Sequence, residues 1–252
     1  MSLTVLKLGG SVITDKDRAD TLDDETLGRV ADAIGDASVD DLVLVHGGGS
    51  FGHHHASEHG VSKTTGSSDI DAVTDIHGAM KTLNNFVLSR LHDREISAVP
   101  VHPFSAAVRD ATASLTLPTG QIETMLEEGF VPVLHGDVVA HEGEGVTVVS
   151  GDELVVSVAR HLDADRVGFC STVPGVLDEN DEVIPEITTY EAVADVLGES
   201  ESTDVTGGMA GKVRSLLELG APASIFSPDD VSSFLDGETP GTRIDATGEQ
   251  TD

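Results

Sequence analysis

The chain has 252 residues, and its 45 Asp and Glu against 14 Lys and Arg give a formal net charge of −31. This charge excludes broad binding to nucleic acid or to an anionic membrane surface, because both require basic surface. The single cysteine, Cys170, excludes an internal disulfide. The sequence has no long apolar run and no basic N-terminal segment followed by an apolar one, so we expect a cytoplasmic protein.

The acidic residues are scattered through the predicted helices and loops. They fit either an acidic surface for a protein partner or the solvated acidic shell of a halophilic protein. We favour the halophilic shell, which predicts unfolding at low ionic strength because the carboxylates then repel one another without screening.

The predicted elements alternate short apolar strands with amphipathic helices. The first are a strand at 3–8, a helix at 23–34, a strand at 42–45, a long helix at 69–91, a strand at 96–101, a helix at 121–128 and a strand at 130–135. A hairpin of 138–140 and 146–149 follows, then a helix at 152–161, a strand at 166–170, helices at 190–197 and 208–219, and strands at 223–226 and 242–244. This alternation predicts an α/β fold with a mostly parallel central sheet and helices on both faces.

Glycines follow directly after three of the predicted strands, at Gly9-Gly10, at 47–49 and at Gly136. Ligands of parallel sheets sit beyond the carboxyl ends of the strands. We therefore expect these glycines to meet at one edge of the sheet. The length suits a single domain, 1–252, whose polar tail at 246–252 we expect to be frayed.

The chain has only five lysines, and three of them, Lys7, Lys16 and Lys212, lie within or close to glycine-containing motifs. Glycine lets backbone N–H groups approach a phosphate closely, and lysine supplies a point charge. Three such lysines in an acidic, lysine-poor chain favour an anion site over ordinary surface turns.

The segment from Gly47 to Gly52 matches the G-x-G-x-x-G spacing of dinucleotide-binding loops, although a plain tight turn is the alternative. The broader interpretation is that backbone N–H groups at a glycine-rich helix start bind phosphate. The segment from Gly207 to Lys212 departs from the P-loop pattern, since Val213 stands where that pattern needs Ser or Thr, so a Walker-type ATPase is excluded.

The histidine cluster at 53–55, with His59, lacks the spacing of a metalloenzyme helix, so we predict no metal site there. We take His53 as the functional histidine because Gly52 precedes it. Asp137, at a strand end, is predicted to hold the lysines together, with an ordinary turn residue as the alternative. Ser150 before Gly151 is either part of the site or a helix N-cap.

Together these motifs resemble the amino acid kinase superfamily and, within it, the archaeal isopentenyl phosphate kinases, a branch that also includes fosfomycin kinases. The resemblance spans nearly the whole chain. Its segments are 7–11 with Lys16, 46–53, 136–137, 150–152 and 204–212. It implies an open αβα sandwich with a substrate lobe at about 1–150 and a nucleotide lobe at about 151–245.

The resemblance also implies ATP-dependent phosphorylation of isopentenyl phosphate to isopentenyl diphosphate, with Mg²⁺, in a homodimer. The residues implied to contact ATP are Lys7, Gly9, Gly10, Ser11, Gly49, Thr172, Gly208 and Lys212. Thr172 departs from the family pattern, which often has an acid there. Those implied to contact the substrate phosphate are Gly48, His53 and Gly151, while Lys16 would stabilise the transferred group.

The expected catalytic residues are Lys7, Lys16, His53, Asp137 and Lys212. The hydrocarbon tail needs an apolar slot, whose wall we assign to Ile76, Met80 and Leu83 of the long helix, with plain core packing as the alternative. Rival functions are a fosfomycin-type or other small-acid kinase, a glutamate or carbamate kinase, a nicotinamide-dependent oxidoreductase and a non-catalytic nucleotide-binding sensor.

Overall fold

The computed structural model describes residues 2–197 and 208–246. Its strands are β1 (Leu3–Leu8), β2 (Asp41–His46), β3 (Ala98–Val101), β4 (Val108–Arg109), β5 (Leu115–Thr116), β6 (Val131–His135), β7 (Asp137–His141), β8 (Gly145–Val149), β9 (Arg166–Cys170), β10 (Glu186–Ile187), β11 (Ala223–Phe226) and β12 (Thr242–Ile244). Its α-helices are α1 (Gly10–Ile13), α2 (Asp24–Asp36), α3 (Gly49–Glu58), α4 (Ile70–His92), α5 (Pro103–Ala106), α6 (Gly120–Glu127), α7 (Gly151–His161), α8 (Ala194–Leu197), α9 (Gly208–Leu217) and α10 (Val231–Leu235). Short 3₁₀ helices cover Glu191–Val193 and Pro228–Asp230.

The main sheet has the strand order β10-β12-β11-β9-β1-β2-β6-β3 within the described residues. Its pairs are parallel except for β11 with β12. β1 lies inside the sheet and every one of its residues is buried, including the polar Thr4 and Lys7. The unbroken apolar run at 42–45 of β2 is buried as well, as expected for an inner strand of a parallel sheet. The expected mostly parallel sheet is confirmed.

Side chains of β1 and β2 alternate between two cores, one on each face of the sheet. Val5 and Val43 pack with residues of α7 and α9, whereas Leu6 and Leu44 pack with residues of α2 and α4. Helices therefore cover both faces, which gives the expected αβα layering.

A second sheet, of order β5-β4-β7-β8, contains the predicted hairpin, whose strands β7 and β8 pair antiparallel. Val138 and Val146 of this hairpin share a small core with Ile76 of α4 and Ala56 of α3. The hairpin therefore brings the segment after β6 against the two helices that face it.

Most long elements match their predicted positions within a few residues, whereas the predicted helix at 190–197 is a 3₁₀ turn followed by α8. The short elements α1, α5, α10, β4, β5 and β10 were not predicted, because segments of two to five residues carry no measurable periodicity. Motif residues 204–207 and tail residues 247–252 lie outside the described residues. No helix of the described segments combines the length and apolar character needed to cross a bilayer.

Candidate active site

A cleft with a cavity volume of about 250 Å³ opens at the carboxyl ends of β1, β2, β6 and β9. The glycines that follow the first three of these strands line it, as expected. Cys170, the last residue of β9, lies at the same edge and is buried. Burial raises the pKa of its thiol to about 12, so the thiol remains protonated and unreactive at neutral pH.

The glycines let two loops approach more closely than any side chain would allow. A Cβ atom at Gly10 would lie 2.1 Å from the backbone nitrogen of Gly49. Gly49 itself has a φ of +48°, and its added Cβ would lie 2.1 Å from Thr14 Oγ1. The start of α1 and the start of α3 are therefore in direct backbone contact, which only glycine permits.

Lys7 extends from β1 into the cleft and forms an ion pair with the carboxylate of Asp152 on α7. Its Nζ lies 2.6 Å from Oδ1 of Asp152, the second residue of α7. Burial by itself would raise the pKa of Asp152, but the positive charges of Lys7, Lys212 and Lys63 outweigh burial and lower it. Asp152 is therefore ionised and neutralises part of the positive charge in the cleft.

The prediction that Asp137 holds the lysines is wrong for Lys7, whose partner is Asp152. The carboxylate of Asp137 is fully buried and lies 2.9 Å from Nδ1 of His77, on α4. Burial raises the pKa of Asp137, and the hydrogen bond from His77 opposes that rise. Asp137 does line the cleft, but its side chain ties the hairpin to α4.

The N-terminus of α7 is fixed by a capping box, which confirms the N-cap interpretation of Ser150. The Ser150 hydroxyl accepts the backbone N–H of Glu153, and the Glu153 carboxylate accepts the backbone N–H of Ser150. Glu153 also pairs with Lys63 at 3.1 Å and with the buried Arg109 at 3.0 Å. The sequence analysis did not identify this capping box, which the S-x-x-E spacing from Ser150 to Glu153 indicates.

Two buried histidines stand behind the glycine loops, and sequence reasoning missed both. His46 ends β2 and His135 ends β6, where they are register partners and their rings stack at a centroid distance of 5.6 Å. Burial lowers the pKa of each, so both imidazoles are neutral. The signal in the sequence was a His-Gly pair at the end of each of two apolar strands.

Most predicted site residues do meet in this cleft. Those that line it are Lys7, Gly9, Gly10, Ser11, Gly48, His53, Asp137, Gly151, Thr172 and Lys212. Gly49 is buried under the loop contact described above, and Gly208 begins α9 with a φ of +59°. Gly52 is followed by His53, which lies on α3.

The other histidines near His53 face surface acids. His55 pairs with Asp20, and His59 pairs with Asp75. No group of three metal-ligating side chains occurs among the described residues.

Lys16 is not among the residues that line the cleft. It lies in an exposed turn between Thr14 and Leu22, which bridge antiparallel. The base of this turn is anchored beside the loop contact, since the Thr14 hydroxyl donates to the Gly10 carbonyl and accepts the Ser50 N–H. The catalytic role assigned to Lys16 stays a prediction.

Apolar side chains form one part of the cleft wall. Ile76 and Met80 of α4 border the cavity, but both side chains are almost completely buried and also pack in the cores, and Leu83 lies in the core behind them. The glycine pair Gly48 and Gly52 packs against the Met80 sulfur, which an added Cβ would approach to 3.3 and 2.9 Å respectively. The same cavity is therefore bordered by glycine and lysine groups that suit a phosphate and by apolar side chains that suit a hydrocarbon.

Comparisons with known proteins agree with this geometry. The model of the amino acid kinase family matches residues 2–223, well over half of the chain. The chain belongs to the amino acid kinase family. The resemblance inferred from the motifs is thereby confirmed.

Curated and solved members of the family are similar over nearly the full length. The isopentenyl phosphate kinase of Haloferax volcanii is 62% identical over 245 residues, 97% of this chain and 99% of that protein. The isopentenyl phosphate kinase of Methanocaldococcus jannaschii is 33% identical, covering 96% of this chain and 98% of its own. A crystal structure of an isopentenyl phosphate kinase superposes with a TM-score of 0.83 at 31% identity, over 96% of this chain and 99% of that one.

Proposed function

We propose that this protein transfers the γ-phosphoryl group of ATP to isopentenyl phosphate and forms isopentenyl diphosphate. One observation carries the assignment: a single cavity joins a glycine- and lysine-walled space to the apolar wall of Ile76 and Met80. An acceptor with a phosphate head and a short hydrocarbon tail matches both surfaces. The similarity to the Haloferax volcanii kinase over 97% of the chain supports the same assignment.

The nucleotide is assigned to the side of the cleft formed by the first glycine turn and the C-terminal elements. Gly9, Gly10 and Ser11 begin α1 there, and Thr172 follows β9. Backbone N–H groups and the Lys212 ammonium are suitable donors for phosphate oxygens. Gly49 and Gly208 are proposed to shape this side through backbone conformations with positive φ.

Phosphoryl transfer here needs no general base, because the acceptor phosphate is already ionised. A bond forms between an acceptor oxygen and the γ-phosphorus while the bond from the γ-phosphorus to the bridging oxygen breaks, and ADP leaves. The protein must bring two polyanions together and stabilise charge on the transferred group. Lys7, oriented by Asp152, and Lys212 are proposed to do so, with Lys16 contributing from the adjacent turn and His53 binding the acceptor phosphate.

Mg²⁺ would be held in this site mainly by oxygens of the substrate phosphates. The described residues offer no cluster of three acidic or histidine ligands, and Mg²⁺ is commonly held by one or two carboxylates together with substrate phosphates and water. Asp137 and Asp152 both line the cleft, but Asp137 is bonded to His77, which leaves Asp152 as the candidate ligand, although Lys7 already occupies one of its oxygens. When bound, the ion neutralises phosphate charge.

The remaining expectations belong to the same proposal. We infer a halophilic, cytoplasmic homodimer whose two lobes, about 1–150 and 151–245, carry acceptor and nucleotide respectively. The net charge of −31 supports a requirement for salt, since screening reduces repulsion among surface carboxylates. Activity should therefore be assayed at high ionic strength.

The direct test is a coupled assay of ADP release at high salt with isopentenyl phosphate, dimethylallyl phosphate, fosfomycin, glutamate and carbamate. We expect the highest kcat/KM with isopentenyl phosphate, and mass spectrometry should identify the diphosphate product. Preference for fosfomycin or a carboxylate would assign a small-acid kinase instead. ATP binding without ADP release from any acceptor would assign a sensor, and bound nicotinamide cofactor would point to an oxidoreductase.

A further inference from the structure

Two histidines are bonded to the backbone of the loops that they precede. His46 Nδ1 lies 3.0 Å from the Gly47 carbonyl oxygen, and His135 Nδ1 lies 2.9 Å from the Gly136 carbonyl oxygen. His46 is 1% exposed and His135 is fully buried. Two adjacent parallel strands thus end in the same arrangement, a buried imidazole bonded to the carbonyl of the next residue.

The acceptors fix which ring nitrogens carry the protons. A carbonyl oxygen only accepts, so both Nδ1 atoms must be donors. A neutral ring has one N–H, which leaves each Nε2 as an acceptor. His135 Nε2 lies 2.8 Å from His102 Nδ1, which donates to it.

The environment of His46 Nε2 is consistent with the same tautomer. It lies 3.1 Å from Asn84 Oδ1, while the buried Asn84 Nδ2 has no hydrogen-bond acceptor among the described residues. Exchanging the oxygen and nitrogen of this side-chain amide lets the Asn84 amide nitrogen donate to His46 Nε2. His46 is therefore held at both ring nitrogens.

A bonded carbonyl also sets the direction of the amide that follows it. The backbone has no cis peptide bonds among the described residues, and in a trans peptide the C=O and N–H groups point in opposite directions. Because the Gly47 carbonyl faces the buried His46 ring, the N–H of Gly48 points away from that ring. Gly47 and Gly48 both line the cleft, so this N–H is directed to the cleft side of the loop.

The atoms around Gly136 show which groups lie close to the Gly48 amide. A Cβ atom built on Gly136 would lie 3.4 Å from the Val149 carbonyl oxygen, 3.6 Å from the backbone nitrogen of Gly151 and 3.7 Å from that of Gly48. One built on Gly151 would lie 3.4 Å from Lys7 Cε. Two backbone amides and a lysine therefore border one space, whose floor is the glycine held by His135.

We propose that His46 and His135 are positioning residues of the acceptor-phosphate site, which fix the Gly47 and Gly136 peptide groups so that the Gly48 amide remains aimed at the phosphate. This proposal rests on the proposed function, because it takes the bound anion to be the substrate phosphate. Neither histidine contacts the reacting atoms. Each acts through the peptide that it holds, and loss of its Nδ1 donor would allow that peptide to rotate.

Paired substitutions separate this role from a general packing role. Asn places an amide nitrogen where Nδ1 of histidine lies, whereas Gln places it where Nε2 lies. We therefore compare His46→Asn with His46→Gln and, separately, His135→Asn with His135→Gln. For each variant the melting temperature and the kcat and KM for isopentenyl phosphate and for ATP are measured at high salt.

We expect each Asn variant to retain most of the wild-type kcat/KM for isopentenyl phosphate. Each Gln variant should lose about tenfold or more, chiefly through a higher KM for isopentenyl phosphate, because a misdirected N–H no longer bonds a charged oxygen. Equal losses in Asn and Gln variants of similar melting temperature would overturn the proposal. Should His46→Gln not fold, equal losses in the two His135 variants would overturn it.

The wild-type assay keeps this result distinct from the proposed function. If the wild-type protein does not phosphorylate isopentenyl phosphate, the proposed function fails, and the role of the histidines for that acceptor fails with it. If the wild-type protein is active and the Asn and Gln variants behave alike, only the positioning role fails.

Discussion

Lys7 Nζ lies 2.6 Å from Asp152 Oδ1, and both side chains are largely buried. The pair joins the central strand β1 to the first turn of α7, so it connects the main sheet with the helix start that borders the cleft. The Lys7 ammonium also lies 5.4 Å from the centre of the Phe169 ring. These contacts hold a positive charge in a fixed position at the cleft wall, as electrostatic stabilisation of a transferred phosphoryl group requires.

Replacing Asp152 by asparagine tests this orientation. Asp152→Asn keeps the shape of the side chain but removes the charge that pairs with Lys7, so we expect kcat to fall on the order of a hundredfold. Asp229→Asn is the matched control, because Asp229 pairs with Arg29 on the surface, where both side chains are more than half exposed. An unchanged kcat in Asp152→Asn would contradict the assigned role of the pair.

Gly136→Ala tests the anion space without disturbing the fold. The added methyl group would make ordinary contacts, the closest at 3.4 Å to the Val149 carbonyl oxygen, yet it would occupy the space between the Gly48 and Gly151 amides. We expect an unchanged melting temperature and a KM for isopentenyl phosphate that rises about tenfold or more.

Gly78→Ala serves as the control for that substitution. Gly78 lies inside α4, and a Cβ atom there meets nothing within 4 Å. Because the added methyl group meets no neighbour, alanine at this helix position should raise stability by about 1 kcal/mol and leave KM unchanged. A wild-type KM in Gly136→Ala would show that the phosphate binds elsewhere.

Lys16→Met tests whether the exposed turn acts in the reaction. Its ammonium is expected to stabilise charge chiefly in the transition state, so kcat should fall far more than KM rises. Lys81→Met, on the exposed face of α4, is the control and should have wild-type kinetics. Equal changes in kcat and KM for Lys16→Met would indicate uniform binding instead.

His53→Ala tests the acceptor contact assigned to α3. His53 lines the cleft, whereas His54, the next residue, is absent from its wall and lies near Glu58. We expect His53→Ala to raise KM for isopentenyl phosphate while KM for ATP changes little. His54→Ala should be close to wild type, and an unchanged KM in His53→Ala would remove His53 from the acceptor site.

The buried histidines predict loss of stability in mild acid. Burial lowers the pKa of His46 and His135, which are both almost completely buried, from the ordinary value of 6.5. Below that value the unfolded chain binds more protons than the folded chain. The free energy of unfolding should therefore decrease as pH falls below 6.5, and the slope approaches at most about 1.4 kcal/mol per pH unit for each histidine that remains neutral in the fold.

Denaturant unfolding at constant salt from pH 7.5 to 5 measures this slope. Asp137, whose pKa burial raises, contributes in the opposite direction. A folded His135→Asn variant should have a shallower slope than wild type, and His54→Asn, at an exposed site, should not. A wild-type slope in His135→Asn would contradict the neutral, buried state of His135.

Much of this architecture could be predicted from the sequence because it depends on local patterns. The unbroken apolar run at 42–45 of β2, the hairpin of β7 and β8 and the long periodicity of α4 each identify an element. Glycines directly after β1, β2 and β6 predict a shared edge, since parallel strands end on the same side. The sequence by itself thus determined the layers, the edge that carries the cleft and the presence of Lys7 and His53 in its wall.

Only the tertiary structure decided which polar groups pair across that edge. Asp137 and Asp152 are both acids close to glycines, but one carboxylate turns to His77, 60 positions earlier in the chain, while the other meets Lys7. The His46 and His135 rings stack because β2 and β6 are neighbours in register. Side-chain direction at a strand end depends on the elements packed against it, and these come from distant parts of the chain, so no local pattern specifies these partners.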